Sequence, residues 1–261
     1  MRAVAAPLPR ASGAREAAAA RLRIPLAGGV QTTAHVAAYE LGATELRTIV
    51  LRRPEPLASW CGRRGVTDAI VGGFFVRCSG RPLGEVRTRG IPRMAKAFLS
   101  PWDRERACVH VHGGGVRIAR RPDLPDRPRG DLLQAGPLLV SGGEPVVHDD
   151  EDPEGFSAGR AQFDSDIADG RHPRAALGVG GGLLLAVACD GRSAGDAGMT
   201  LGELAEQMAA LGAEQAINLD GGGSASLVCD GELVNEPREL KGTPIPGGRP
   251  IVTALTFAAR R

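Results

Sequence analysis

The 261-residue chain sets 32 Lys and Arg against 30 Asp and Glu, a formal net charge of +2, so its charge balance shows no nucleic-acid-binding surface and no like-charged tail. Aromatic residues make up only 3%, whereas there are 37 glycines and 19 prolines, which predicts a core of small aliphatic side chains joined by many tight turns. No apolar run reaches the roughly 20 residues that a bilayer span requires, since Leu183 to Cys189 halts at Asp190.

In chain order, residues 1 to 20 alternate Ala, Arg and Pro without a period that would bury a face, and they are set apart as a disordered segment. They also lack the apolar stretch of a signal peptide. Residues 21 to 261 are expected to form one α+β domain of mixed, mostly antiparallel sheets with a few packed helices. Leu46 to Leu51 and Ala69 to Val76 read as strands, the second broken at Gly72-Gly73. Cys108 to Val111 and Val116 to Ala119 flank a glycine turn as a hairpin does, and Leu138 to Val140 with Pro145 to Val147 repeat the pattern. The acidic and polar stretch from His148 to Pro173 reads as a surface excursion with the character of a lid. Ala176 to Val179 and Leu183 to Cys189 form a strand pair. Thr200 and Glu203 then open a helix to Leu211 as a capping box, with Gly212 as its stop. Ala216 to Leu219 is a strand ending at Asp220, Ala225 to Cys229 and Glu232 to Val234 form a hairpin, and Ile251 to Phe257 closes the sheet.

The five cysteines, Cys61, Cys78, Cys108, Cys189 and Cys229, are widely spaced and lack the C-x-x-C pattern of a zinc or redox site. They read as reduced thiols and, with the missing export signal, favour the cytoplasm. His112 and His172 show no paired ligand spacing, and neither a catalytic metal nor a cofactor is expected.

Two fragments imitate a serine esterase: His112-Gly113-Gly114-Gly115 resembles an oxyanion loop, and Gly191-Arg192-Ser193-Ala194-Gly195 fits a nucleophile elbow. The order is against it. In that fold the catalytic His follows the Ser, and all five histidines precede Ser193.

Asn218-Leu219-Asp220-Gly221-Gly222-Gly223-Ser224 is the segment richest in chemistry. It sets a carboxylate at the tip of a buried strand, followed by glycines whose amides can converge on an anion. The same run also serves as a sharp corner capped by Asp220 itself. The segment resembles the N-L-D-G-G-G-S motif of the phosphodiester glycosidase family, and other pieces agree in order. Gly72-Gly73-Phe74-Phe75 resembles its N-G-G-F-F, with Val71 in place of Asn. Gly136-Pro137-Leu138-Leu139-Val140 is similar to its G-P-L-L-V, and Pro173-Arg174-Ala175-Ala176-Leu177-Gly178 to its R-T-A-I/L-G. Asp190-Gly191-Arg192, then Gly198-Met199-Thr200-Leu201-Gly202-Glu203-Leu204, and finally Arg249-Pro250-Ile251 complete the series.

The resemblance implies hydrolysis of a sugar-1-phosphodiester, small or glycan-borne, at the anomeric carbon, giving free sugar and a phosphomonoester. It makes Asp220 the leading catalytic carboxylate, with Asp190 or Glu203 as a second. Arg174, Arg192 and Arg249 then stabilise phosphate, and Gly73, Phe74, Thr200, Asn218, Gly221, Gly222, Gly223 and Ser224 line the substrate site. Each has a plainer reading: Glu203 as the partner of Thr200, Asp190 as a turn cap, the arginines as solvated surface, Phe74 as core. A sugar-phosphate binding module without turnover is the alternative from another class.

Overall fold

The computed structural model describes residues 19–148, 152, 154–157 and 169–260. Residues 1–18 and most of the expected lid lie outside them.

A seven-stranded antiparallel sheet organises the molecule. Its order is Ala20–Pro25, Gln31–Glu40, Leu183–Cys189, Arg174–Gly180, Gln215–Asn218, Leu138–Ser141 and Glu144–Pro145. Alternation along a strand sends successive side chains to opposite faces, and here both faces are buried. Leu185 and Val187 join Leu201, Leu204, Ala205 and Met208 of the helix Leu201–Ala210. Leu184, Ala186 and Ala188 point the other way, into a larger core shared with two five-stranded sheets.

One of those sheets runs Glu232–Leu233, Leu227–Cys229, Ala69–Val71, Ile251–Ala259 and Thr44–Glu55; the other runs Gly115–Arg120, Ala107–His112, Asp131–Gln134, Val86–Thr88 and Ile91–Pro92. Among the described residues strand accounts for 44% and helix for 14%, so the architecture is mostly β, which corrects the more balanced α+β expectation. The difference lies in strands that composition hides. Gln31–Glu40 is built from Thr, Ala, Val and Tyr buried on both faces, so it lacks the apolar–polar alternation of a half-exposed strand.

The helix Leu201–Ala210 starts as its sequence dictates. Thr200 Oγ1 accepts the Glu203 amide and Glu203 Oε2 accepts the Thr200 amide, both at 3.0 Å, so two otherwise unpaired donors of the first turn are satisfied. None of the five cysteines is in a disulfide, and all but Cys78 are buried. Among the described residues no helix is long and apolar enough to cross a membrane.

Candidate active site

Antiparallel pairing gathers the candidate segments at one end of the central strands of the seven-stranded sheet. Arg174 opens its strand opposite Cys189, and Ala176 faces Asn218, so the residues that follow Cys189 and Asn218 emerge on either side of Pro173. Asp220 is thus placed at the tip of the strand Gln215–Asn218, where three bonds fasten the corner. The Asp220 amide donates to Gly72 O (3.0 Å), the Gly222 amide to Pro173 O (2.8 Å) and the Arg249 amide to Gly223 O (2.8 Å).

The glycines do not form an open nest of amides. The Gly221 amide donates to Asp220 Oδ1 (2.9 Å), the Ser224 amide to Gly221 O and the Ala225 amide to Gly222 O, so four corner amides, with that of Gly222, are spent on protein acceptors. What the glycines provide is room. A Cβ at Gly222 would stand 3.1 Å from the Arg192 guanidinium, and one at Gly223 would stand 3.0 Å from that of Arg249. Two cations therefore lie directly on the corner, and the positive potential comes from side chains rather than from backbone.

Arg192 reaches this place from a left-handed backbone (φ 61°), a conformation that costs a non-glycine residue of order 1 kcal/mol or more and marks sites held by their surroundings. Its guanidinium donates to Arg238 O (3.0 Å) and to His172 Nδ1 (3.3 Å). Burial, with Arg249's charge beside it, lowers its pKa from the usual arginine value. Arg249 pairs with Glu239 at 2.5 Å. Exposed Arg77, just after the short strand Phe75–Val76, adds a third cation whose charge is felt at Asp220, Arg192 and Glu239.

Two carboxylates in this cluster are driven apart. The Asp220 carboxyl is enclosed by protein although the residue keeps some exposure at the rim, and desolvation pushes its pKa up from 3.8 to about 6. The Ser224 hydroxyl, Arg249, the Gly221 amide and Arg77 oppose that rise without overcoming it. Ser224 Oγ is fully buried and lies outside good hydrogen-bond geometry, so its pull on Asp220 is one of proximity. At Glu239 the balance is reversed. Partial burial raises its pKa, but the Arg249 hydrogen bond and charge, with Arg77 and Arg192 behind them, hold it below the ordinary carboxylate value.

Other residues singled out from the sequence are engaged elsewhere. Asp190 Oδ2 meets His35 Nε2 (2.9 Å) and its Oδ1 accepts the Glu236 amide (2.7 Å), so it straps the 235–250 loop to the sheet. Glu203, besides the capping box that also occupies Thr200, holds Arg171 with both oxygens. Arg174, 2% exposed, donates to Met199 O and Gly170 O. Asn218 is buried, its amide group donating to Gly136 O. Phe74 packs with Phe98 and Phe156 in an aromatic core, while Gly73 O accepts from Thr253 Oγ1. Val71 is wholly buried in the central core.

Sequence reasoning missed Arg77, Glu239, His172 and the carbonyl of Arg238. They lie in loops without period or motif, and only the tertiary fold brings them to Arg192 and Arg249. The esterase fragments are separated: His112 ends a strand of another sheet at a hairpin, and the Ser193 hydroxyl faces Asp196.

A family model described as phosphodiester glycosidase matches residues 64–258. Comparison with curated proteins gives no match. Among solved structures, the zebrafish N-acetylglucosamine-1-phosphodiester alpha-N-acetylglucosaminidase catalytic domain, auto-inhibited by its pro-peptide, is similar with a TM-score of 0.71 and 21% identity; 96% of this chain and 85% of that one are covered. A hypothetical protein from Synechocystis is similar with a TM-score of 0.61 and 19% identity, over 92% of this chain and 61% of that one. At such identities the likeness concerns the fold.

Proposed function

The chain belongs to the phosphodiester glycosidase family, and from that premise we propose that it hydrolyses a sugar-1-phosphodiester at the anomeric carbon. The bond between C1 and the phosphate ester oxygen breaks, water supplies the new hydroxyl on C1, and the phosphate departs as a phosphomonoester.

The observation that carries this reading is a carboxyl with a pKa of about 6 set among Arg77, Arg192 and Arg249. Charge on the departing phosphate grows as the C1–O bond stretches, and preorganised guanidinium groups stabilise charge that develops in the transition state. A phosphate leaving group so neutralised needs no strong acid to protonate it. The oxocarbenium-like carbon needs a carboxylate within reach, and ionised Asp220 supplies it, as base for the attacking water or as nucleophile. Raising its pKa towards neutrality strengthens Asp220 as a base while leaving it substantially ionised at pH 7.

The test is hydrolysis of a panel of α- and β-linked sugar-1-phosphodiesters in ¹⁸O-enriched water. Release of free sugar together with a phosphomonoester free of solvent label supports cleavage at carbon. Label in the phosphate would mean attack at phosphorus and would remove the glycosidase reading. Binding of the panel without release from any member would favour the non-catalytic module.

A further inference from the structure

Glu239 has no part in the chemistry just described, yet it sits among the same cations. Its carboxylate takes two hydrogen bonds from Arg249, at 2.5 and 3.3 Å, and also feels the charges of Arg77 and Arg192. The loop that presents it is stapled at several points. The Glu239 amide donates to Thr243 O and the Gly242 amide to Glu239 O, both at 2.9 Å. Arg238 bonds Gly242 O and the Glu236 carboxylate, while its own carbonyl accepts from Arg192. Glu239, its side chain 44% exposed, is therefore held in place at the outer side of Arg249.

Its effect is one of charge. Three guanidinium groups, of Arg77, Arg192 and Arg249, stand against the carboxylates of Asp220 and Glu239, so one positive charge is in excess when both acids are ionised. A phosphodiester carries one negative charge, and a phosphomonoester above its second pKa of about 6 carries two. A dianion gains more from the arginines, but it is also repelled more by each carboxylate, and like charges brought together in a partly desolvated site are costly.

We propose that Glu239 is a charge filter: paired with Arg249 within reach of Arg77 and Arg192, it matches the pocket to the single charge of a phosphodiester and disfavours the dianionic phosphomonoester. Resting on the function proposed above, this makes Glu239 a specificity-determining residue that also favours departure of the product, since the product is the dianion.

Binding of dimethyl phosphate and methyl phosphate to the whole protein is measured by ligand-detected NMR or calorimetry at pH 8, for wild type, Glu239→Gln and Glu239→Asp. Thermal unfolding checks that each variant is folded. The expected result is that Glu239→Gln tightens methyl phosphate about ten-fold more than dimethyl phosphate, while Glu239→Asp, which keeps the charge, stays near the wild-type ratio. An unchanged ratio in Glu239→Gln, or binding of neither phosphate to any form, overturns the filter. A hundred-fold fall in sugar release by Glu239→Gln with the ratio unmoved overturns it too, in favour of a direct chemical role. Because binding is read without turnover, the filter can fail while Asp220-dependent sugar release stands, and the reverse.

Discussion

Asp220 holds its position against its own desolvation. With a folded pKa of about 6 against an ordinary 3.8, the native protein binds this proton more tightly than the unfolded chain does between those values. The stability that the protonated group contributes is fully present below pH 3.8 and is lost as pH rises through 6, by at most about 3 kcal/mol and less where solvent reaches the rim. Asp220→Asn removes the charge, so it is predicted to be more stable than wild type by about 1–2 kcal/mol at pH 8, with the difference gone near pH 4. Urea unfolding at the two pH values measures this, and an equal difference at both would contradict a raised pKa. The same titration sets the rate. If ionised Asp220 is the working form, kcat/KM rises with pH through a midpoint near 6, and a pH–rate profile without that limb would move the carboxylate's role elsewhere. At this scale the sequence pointed to Asp220, Arg192 and Arg249, which the fold brings together, because each adjoins a motif or a strand end. It did not distinguish them from Asp190 and Glu203, whose oxygens are occupied by neighbours visible only in three dimensions, His35 and Arg171.

Among the elements, the helix Leu201–Ala210 shows how much local sequence can specify. Its start, its buried face and the glycine beyond its end were all legible in the sequence, since a capping box and a three- and four-residue apolar spacing are local signals. Glu203→Ala breaks both the box and the Arg171 pair. The variant is predicted to lose about 1–2 kcal/mol of stability while sugar release stays within about threefold of wild type. A much larger loss of activity at intact stability, measured by parallel unfolding and rate assays, would restore Glu203 to the chemistry. The strand Gln31–Glu40 and the eight-residue helix Leu57–Arg64 escaped notice for opposite reasons. The strand has small and polar residues packed on both faces, and the helix is too short for its period to stand out after two prolines.

At the scale of the whole molecule, the candidate site is assembled at an end of the central strands that no single segment defines. Strands ending at Cys189 and Asn218 flank the start of the strand Arg174–Gly180, and the 235–250 loop folds over their ends through Asp190, Arg192 and Arg249. The order of strands in the three sheets was not legible, because pairing over more than a hundred residues, as between Gln31–Glu40 and Leu183–Cys189, leaves no mark in local pattern. Arg77 and Glu239 were hidden for the same reason: only the closed fold brings them to the cations Arg192 and Arg249 beside Asp220. The proposal that this strand end is a glycosidase site organised by one carboxylate is tested most directly by sugar release from sugar-1-phosphodiesters by wild type and Asp220→Asn, each shown to be folded and to bind dimethyl phosphate. The account predicts release by wild type and a fall of at least about a hundred-fold in the variant, with phosphate binding retained. Equal release by both proteins would contradict it.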